Sequence, residues 1–595
     1  MMLRTLLLLS TCLWAQRIQV VFVGAVTDTS AQVLVWAQGT STVQLWYGPS
    51  PDGTNSQLLP SISLSREGFG KASLTNLSPS TRYYYQAFIP NVDSSGVQTF
   101  QTFPSPGQPA YFRFAFGSCQ AFGYAPPASE PIFRRIALDT PLIFLQCGDW
   151  GYPDIRYNRL PHDSTTFAQW WDTIVASYYA RYGGRDIQHL MAVAPIDYVY
   201  DDHDYLQDNA SRTSSPYISD TLIREFSLPP YARRNIIHAY TQFFPHYPLP
   251  DTSEGIFHRI RIGNVEIFVC DNRSARDPDL NALRWRGDTL FFDPPPSHSM
   301  LGAVQRNWLL DGLRSSTATW KFVVTGVAFN RGYRQILQAL SGNKALQDCR
   351  LLGIGNGAML LAGLTDTWAA YAAEQDSILA FCQRHGIRNV IWLSSDSHTS
   401  AIDDGENAGF PELMAGNLRQ TNSRLAWLMA NAGPLISTFC PQANLSQSFA
   451  LWNAGGQGLG NTNFNDAYGR IEVFGEDSVR LSIVDTAGIV IASLTLQNSS
   501  SSALPTVARR TTSSPIAISW DATYENATVQ LLSEVSTPAT LLLTNLSGQI
   551  IASYPLPEAK AHQTLRIPMA HLPRGLYFIV LQAGTQIWTH HLIRP

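Results

Sequence analysis

Several polar side chains in the middle of this chain directly follow apolar runs, and their types suit metal binding. They are Cys119, Asp149, Tyr152, Asp202, His203, Asp396 and His398. A continuous apolar run is typical of a strand that is buried on both faces of an α/β sheet. In such folds, ligands gather outside the carboxyl ends of the strands. We therefore expect these donors to meet at one rim, and we predict a metal site there.

Each motif suggests its own ligand chemistry. In GDWGY, Asp149 could bridge two cations, and the phenolate of Tyr152 is a hard ligand suited to ferric iron. In YDDHDY, residues 201–204 hold three carboxylates and one imidazole, which is unfavourable unless cations or hydrogen bonds offset the charge. Asp396 and His398 would lie on one face of a continuing strand. Taken singly, these motifs could equally be an ordinary loop, a solvated acidic loop and a turn.

The elements that must position these residues alternate between strands and helices from Tyr111 to about Asn498, which is typical of the α/β class. Helical spacing predicts helices over 303–313 and 367–385. Asp366 is the N-cap candidate of the second helix and Gly386 its C-cap candidate.

All-β segments flank this region. Residues 17–103 resemble a fibronectin type III-like sandwich. Residues 497–515 are rich in Ser, Thr and Pro and predict a linker, and residues 516–595 return to short β runs. Residues 1–15 have the charged start and leucine-rich core of a secretory signal peptide, and cleavage as a lipoprotein before Cys12 is the alternative.

Composition narrows the function classes. The 595 residues are too many for one core, and 45% hydrophobic and 11% aromatic content is that of folded domains. A net charge of -4, without a Lys/Arg-rich stripe, gives no case for a nucleic-acid-specific surface. No segment after the signal peptide reaches the roughly 18 to 20 consecutive apolar residues of a transmembrane helix. Cys147, Cys270 and Cys382 lie in apolar patterns and are expected to be buried small hydrophobes.

The order of the motifs resembles the calcineurin-like metallophosphoesterases, and more closely the PhoD-type alkaline phosphatases. The matching segments are FGSCQ at 116–120, GDWGY at 148–152, YDDHD at 200–204, CDNR at 270–273, QRNWL at 305–309, DTWAAY at 366–371 and SDSH at 395–398. The resemblance covers roughly residues 17–498 and implies a sandwich of two mixed sheets flanked by helices, with the metallophosphatase domain over 111–496. Ser395 and Asp204 stand where the family has glycine and glutamate, and these departures bear on rate and metal identity more than on reaction class.

The resemblance also implies two kinds of cation. Ferric iron would be held by Cys119, Asp149, Tyr152 and His398. Calcium would share Asp149 and take Asp202 and Asp396. The family can bind a second calcium ion, and no residue is assigned to it here.

Two residues are implied in catalysis. His203 would contact the phosphate and help the leaving oxygen. Arg273 is the candidate for a phosphate clamp, although Asp271 could instead engage it in a structural ion pair.

The last 80 residues resemble the sorting domains of the type IX secretion system, through TNLSGQII at 544–551 and LPRGLYFIVLQAG at 572–584. A generic β-sandwich for carbohydrate or protein binding is the alternative. Together, the resemblances imply an enzyme exported across the inner and outer membranes, either secreted or on the cell surface. Its partners would be small phosphate esters and the type IX machinery. The implied reaction is hydrolysis of phosphomonoesters, with phosphodiesters as further candidates.

Two other functions are consistent with parts of the sequence. A purple-acid-phosphatase-like hydrolase also uses a tyrosine-ligated iron, but it has Asn-His and His-x-His where this chain has Asp202-His203 and Asp396-x-His398. A cell-surface binding protein with an inactive core would fit the flanking β modules. Calcium dependence separates the first from the PhoD type, and metal content separates the second.

Overall fold

A computed structural model of the chain describes most of its residues, with gaps. The described ranges are 15–121, 129–152, 167–219, 221–229, 231–351, 355–419, 451–457, 466–498, 516–520, 525–532, 535, 539–545, 550–573, 575–583 and 586–594. The predicted signal peptide, apart from Ala15, and most of the predicted linker lie outside these ranges.

The first part of the chain is all-β. Its strands are β1 (Arg17–Gly24), β2 (Ala31–Gln38), β3 (Thr42–Gly48), β4 (Gln57–Leu58), β5 (Ile62–Ser63), β6 (Phe69–Leu74), β7 (Arg82–Ile89), β8 (Asp93–Ser94) and β9 (Gln98–Gln101). One sheet has the order β1-β2-β6, and the other is built around the antiparallel pair of β3 and β7. The fibronectin type III-like assignment stays a prediction.

The middle part combines strands with helices. Its strands are β10 (Tyr111–Gly117), β11 (Gln120–Ala121), β12 (Phe144–Gln146), β13 (Trp150–Gly151), β14 (Ile196–Tyr198), β15 (Ser214–Ile218), β16 (Ile223–Ser227), β17 (His258–Ile262), β18 (Val265–Val269), β19 (Leu283–Arg286), β20 (Thr289–Phe292), β21 (Trp320–Val324), β22 (Arg350–Leu351), β23 (Gly355–Asn356), β24 (Val390–Ser394), β25 (Ser400–Asp403), β26 (Glu412–Ala415), β27 (Gly456–Gln457), β28 (Ala467–Phe474), β29 (Ser478–Asp485) and β30 (Val490–Gln497). Its α-helices are α1 (Pro131–Leu138), α2 (Phe167–Gly183), α3 (Arg185–Met191), α4 (Asp202–Tyr205), α5 (Ala232–Phe243), α6 (Gly302–Ser315), α7 (Tyr333–Leu340), α8 (Lys344–Gln347), α9 (Gly357–Gly363) and α10 (Ala372–Arg384).

Two mixed sheets dominate this part. One has the order β14-β12-β10-β28-β29-β30, and the other β17-β18-β21-β24-β26-β25-β27. Strands β14, β12 and β10 are parallel to one another, and so are β18, β21, β24 and β26. Every residue of β12, β18, β21 and β24 is buried, as expected for strands covered on both faces. The predicted α/β class, with two mixed sheets and flanking helices, is confirmed.

The parallel strands explain how distant motifs meet. Cys119 follows β10, Asp149 follows β12, Asp202 follows β14, and Asp396 follows β24. Because parallel strands present their carboxyl ends at the same edge, the segments after β10, β12 and β14 deliver donors to one edge of the first sheet, and Asp396 comes from the second sheet.

The predicted helix over 367–385 begins later than its pattern indicates. Residues Trp368–Tyr371 form a 3₁₀ turn, and α10 starts at Ala372. The side chain of Thr367, rather than Asp366, accepts a hydrogen bond from the capped turn, through the N–H of Ala369. The other predicted helix, over 303–313, is confirmed as α6.

The N-terminal strands pack directly on the helices of the middle part. The rings of Trp36 and Tyr179 stack with centroids 4.5 Å apart, and those of Phe22 and Tyr182 are 5.1 Å apart. The Nζ of Lys71 donates to the carbonyl oxygens of residues 241 and 244. One continuous apolar core therefore includes both the N-terminal strands and the first mixed sheet.

The last part of the chain is again all-β and has its own core. Its strands are β31 (Ile516–Trp520), β32 (Asn526–Leu531), β33 (Ala539–Asn545), β34 (Ile550–Leu556), β35 (Thr564–Pro568), β36 (Gly575–Ala583) and β37 (Gln586–Arg594). They form sheets of order β31-β32-β35 and β34-β33-β36-β37. Among the described helices of the whole chain, none has both the length and the apolarity needed to cross a bilayer.

Candidate metal centre

The backbone of the centre is unusual at its donor residues. Cys119, Asp149, Tyr152, Asp396 and His398 all have positive φ, between 51° and 65°. Residues other than glycine rarely adopt a positive φ. Such backbone conformations cluster at functional sites, where the surrounding fold enforces them. Five of the six predicted metal ligands thus lie on tight turns just beyond the strands.

Cys119 reaches the centre from the end of β10. Its side chain is fully buried, and its Sγ lies 3.7 Å from Oδ2 of Asp149 and 3.5 Å from the carbonyl oxygen of Asp396. The Oγ of Ser118 is 3.1 Å from the same sulfur. Cys119 faces carboxylates, whereas the other three free cysteines of the described residues, Cys147, Cys270 and Cys382, lie in the apolar cores as predicted.

The GDWGY turn brings Asp149 and Tyr152 to the same place. Gly148 has a φ of +94°, and a Cβ on it would lie 2.4 Å from the Cβ of Asp201. Glycine is therefore the residue that allows this turn to press against the segment after β14. The hydroxyl of Tyr152 lies 2.7 Å from Nε2 of His398.

Asp202 and His203 begin the short helix α4, which has a capping box formed by Asp201 and Asp204. The carboxylate of Asp202 accepts hydrogen bonds from the N–H of His203, at 2.8 Å, and of Asn209, at 2.7 Å. The ring of His203 packs on that of Tyr152 with centroids 4.2 Å apart.

Asp204 stands where the family has glutamate, and its carboxylate makes structural contacts with neighbouring elements. It accepts the N–H of Trp150 at 2.8 Å and pairs with Arg181 at 3.2 Å. Through these bonds it ties α4 to the GDWGY turn and to α2.

Ser395, the other departure from the family, also has a structural place. Its Oγ is buried and lies 2.7 Å from the carbonyl oxygen of Gly326 and 3.2 Å from that of Cys147, so its single proton can be donated to either. Its φ is not positive, so glycine is not required at this position. The serine fastens β24 to the ends of β12 and β21.

The donor atoms form three overlapping groups, and within each group all ligand atoms lie within 4.8 Å of one another. The groups are Cys119 with Asp149 and His398, Asp149 with Asp202 and His203, and Asp201 with Asp202 and Asp396. These groups contain five of the six predicted ligands, with Asp149 and Asp202 shared between groups, and the sixth, Tyr152, contacts His398. Asp201 was not assigned from the sequence. The acidic crowding at 201–204 was a signal for it, but the pattern did not say which carboxylates turn inward.

The electrostatics fit a bound cation. Burial raises the pKa of the Cys119 thiol, with the charges of Asp149 and Asp396 adding to the effect. Burial and the nearby Asp202 likewise raise the pKa of both Asp149 and Asp396. The Oδ2 of Asp201 is buried without a hydrogen-bond partner in the described part of the chain. Crowded, buried acids of this kind need positive charge to ionise, and a metal ion supplies it.

The donors also sort by chemistry. The thiol, phenol and imidazole on the Cys119 side suit a transition metal, whereas the carboxylate oxygens on the Asp202 side suit calcium. Burial lowers the pKa of His398 to about 4, so its imidazole is neutral at ordinary pH and free to coordinate.

Arg273 lies behind the centre rather than at its mouth. Its guanidinium is fully buried, with Nε on Asp201 and Nη1 3.0 Å from Oδ1 of Asp366. The carboxylate of Asp271 accepts the backbone N–H of Arg273 at 3.0 Å, and its other hydrogen bonds come from the backbone N–H groups of Ser274 and Ile256 and the hydroxyl of Tyr200. The role of phosphate clamp stays a prediction for Arg273, and its burial favours a structural role with partners other than the expected Asp271.

Comparison with known proteins agrees with this geometry. A sequence profile described as PhoD-like phosphatase matches residues 114–440, and one described as secretion system C-terminal sorting domain matches residues 523–594. Alkaline phosphatase D of Bacillus subtilis (strain 168) is 25% identical over 344 residues, which are 54% of this chain and 52% of that protein. This chain therefore spans about half the length of that relative.

Two solved structures were compared. A structure of PhoD covers 82% of this chain and 92% of its own chain, at 17% identity and a TM-score of 0.56, and so shares the fold. The purple acid phosphatase PPD1 from yellow lupin (Lupinus luteus) seeds covers 80% of this chain and 74% of its own, at 12% identity and a TM-score of 0.45, which is too low to support an argument. The sorting-domain match indicates export to the cell surface or beyond.

Proposed function

Since the chain belongs to the PhoD-like phosphatase family, we propose that it is a metal-dependent phosphatase that acts outside the cell. Its substrates are phosphomonoesters, with phosphodiesters as further candidates. The observation that carries the proposal is the meeting of Cys119, Asp149, Tyr152, Asp202, Asp396 and His398 at one rim. In this proposal, residues 111–496 are catalytic, residues 17–103 are a fibronectin type III-like domain, and residues 497–515 link the catalytic part to the sorting domain.

Ferric iron would be held by Cys119, Asp149, Tyr152 and His398, and one or two calcium ions by a site that includes Asp149, Asp202 and Asp396. When bound, such paired cations polarise phosphoryl oxygens and lower the pKa of a bound water. The chain's contribution is a rigid, largely buried set of donors held in place by hydrogen bonds and positive-φ turns.

His203 is the residue best placed to move a proton. Its side chain is 15% exposed, and its ring lies on that of Tyr152. Its Nε2 is 3.7 Å from the exposed carboxylate of Asp208. We assign it contact with the phosphate and donation of a proton to the leaving oxygen.

The test uses full-length purified protein, elemental analysis and rates on an aryl phosphomonoester and an aryl phosphodiester. Asp149→Asn should lower the rate by at least about 100-fold, as loss of a single preorganised stabilising group does in other enzymes. Asp311→Asn, at an exposed residue of α6, is the matched control and should keep the wild-type rate.

Three results would contradict the proposal. Full activity of Asp149→Asn would show that the proposed metal centre is not the site of the reaction. Activity that survives a calcium chelator would favour a purple-acid-phosphatase-like hydrolase. Wild-type protein with neither metal nor hydrolysis would favour a cell-surface binding protein.

The proposed partner of the C-terminal domain is the type IX secretion machinery. Fractionation of cells that express the full chain should place the protein at the cell surface or in the medium. Retention in the periplasm would contradict this part of the proposal.

A further inference from the structure

A buried network of two arginines and three aspartates lies directly behind the centre. Arg273 connects Asp201 on one side with Asp366 on the other, and Arg276 pairs with both Asp366 and Asp279. All five side chains are at most 5% exposed. Phosphate in the open site therefore has no path to these guanidinium groups without displacement of the ion pairs.

The fork of Arg273 faces Asp366. Its Nη1 lies 3.0 and 3.2 Å from the two oxygens of Asp366, and its Nη2 lies 3.3 Å from Oδ2. By contrast, Nη2 lies 3.9 Å from Oδ1 of Asp202, beyond hydrogen-bond distance. Asp366 thus draws the guanidinium away from Asp202 while Nε holds Asp201.

The same geometry leaves the oxygens of Asp202 available. They accept backbone N–H groups, which fix the orientation of the carboxylate without neutralising its charge. If Asp366 lost its charge, Arg273 would be attracted to the remaining carboxylates of Asp201, Asp202 and Asp396 and would compete with a cation for their oxygens.

We propose that Asp366 and Arg273 are positioning residues that orient Asp201 and Asp202 toward the calcium site, and that Arg273 does not clamp phosphate. This inference rests on the proposed function. It gives a role to Asp366 of the DTWAAY segment, which does not cap the helix as predicted, and it includes Asp201 among the residues that form the calcium site.

The test measures calcium affinity by titration calorimetry on full-length protein freed of calcium with a chelator. Asp366→Asn should bind calcium about 10- to 100-fold more weakly, the usual effect of losing an outer-shell partner. Excess calcium should restore its kcat, and inhibition by inorganic phosphate at saturating calcium should be unchanged. Asp376→Asn, at a half-exposed residue that pairs with Arg334, is the matched control and should bind calcium as the wild type does.

Arg273→Lys is the second variant. It keeps the positive charge but loses the planar fork, so it should also weaken calcium binding. Unchanged calcium affinity with weaker phosphate inhibition would instead show a phosphate clamp and overturn the proposal. Unchanged calcium affinity with only a lower Tm, or loss of soluble protein in both variants, would assign the network to folding alone and would also overturn it.

Failure of this inference differs from failure of the proposed function. In the first case, wild-type protein binds calcium and hydrolyses an aryl phosphate, and the variants match its calcium affinity. In the second case, wild-type protein does neither.

Discussion

The hydroxyl of Tyr152 lies against the imidazole of His398 and packs beside His203, so one phenol touches both the candidate iron ligands and the candidate acid. Thiolate and phenolate ligands would give a bound ferric iron a visible charge-transfer colour. We predict that Tyr152→Phe loses or shifts the visible band and weakens iron binding by at least about 10-fold, the lower end of the cost of losing outer-shell partners. Absorption spectra and iron content measure this. An unchanged spectrum would exclude phenolate ligation, and Tyr217→Phe, at an exposed tyrosine, is the control.

Ser395 illustrates a departure from the family that stabilises the chain. Ser395→Gly would remove a buried hydroxyl whose single proton lies within reach of two carbonyl oxygens, and it would add backbone freedom in the unfolded state. We predict a loss of about 2 kcal/mol in the free energy of unfolding, with the metal content and rate retained. Urea unfolding and elemental analysis check this. Normal stability with loss of activity would show that the serine acts on the reaction instead.

At the residue scale, the candidate metal ligands could be predicted from the sequence, but the ion-pair partners of Arg273 could not. Cys119, Asp149 and His398 could be found because each follows an apolar run in a recognisable motif. The partners of Arg273 could not be found, because Asp201 and Asp366 are 72 and 93 residues away along the chain, and only the packing of β14, β18 and the 3₁₀ turn brings them together.

The turn at Gly148 packs closely against Asp201 of the metal centre. Gly148→Ala would place a methyl group against Asp201 in addition to straining a backbone with φ of +94°. We predict a loss of stability of about 1–3 kcal/mol beyond that of the control, together with reduced metal content. The control is Gly386→Ala, which has φ of +60° and no neighbour within 4 Å of the added methyl group. Equal losses in both variants, by thermal unfolding, would show that the close approach is unimportant.

The edges of the two mixed sheets are joined by one buried ion pair. Nε2 of His258, on β17, lies 2.9 Å from Oδ2 of Asp197, on β14. Burial opposes protonation of His258, but Asp197 and a backbone hydrogen bond outweigh it, so its pKa is raised. Because the folded pKa exceeds the unfolded value near 6.5, the pair stabilises fully below about pH 6.5, and this contribution is lost as pH rises through the folded pKa.

The measurement compares urea unfolding of wild type and His258→Gln at about pH 6 and about pH 9. The destabilisation caused by the substitution should be larger at the lower pH. A destabilisation that grows with pH would contradict a charged pair.

At the element scale, periodicity predicted that a helix follows Asp366 but not where it begins. The indole of Trp368 donates to Oγ1 of Thr325 at 2.9 Å, and the N–H of the same residue donates to the carbonyl oxygen of Ala328. These hydrogen bonds attach the 3₁₀ turn to the segment that follows β21. They connect residues far apart in the sequence, so local helical spacing could not predict them.

At the scale of the whole molecule, the C-terminal strands have a core separate from that of the sheets around the centre. We predict that a chain ending at Asn498 keeps its metal content and hydrolysis rate but is no longer delivered to the cell surface. Rates of the purified shortened protein and fractionation of cells expressing it check this. Loss of hydrolysis would show that the last domain supports the catalytic one.

The N-terminal strands are in the opposite situation. Their aromatic side chains pack on α2, and Arg181 of the same helix donates to the carbonyl oxygen of Trp150 and pairs with Asp204 beside the donor turns. A single helix therefore joins the N-terminal interface to the GDWGY turn. We therefore expect the N-terminal strands to support the donor turns, so that moving residues 111–496 into another protein, or exchanging them between relatives, would require residues 17–103 to be transferred with them.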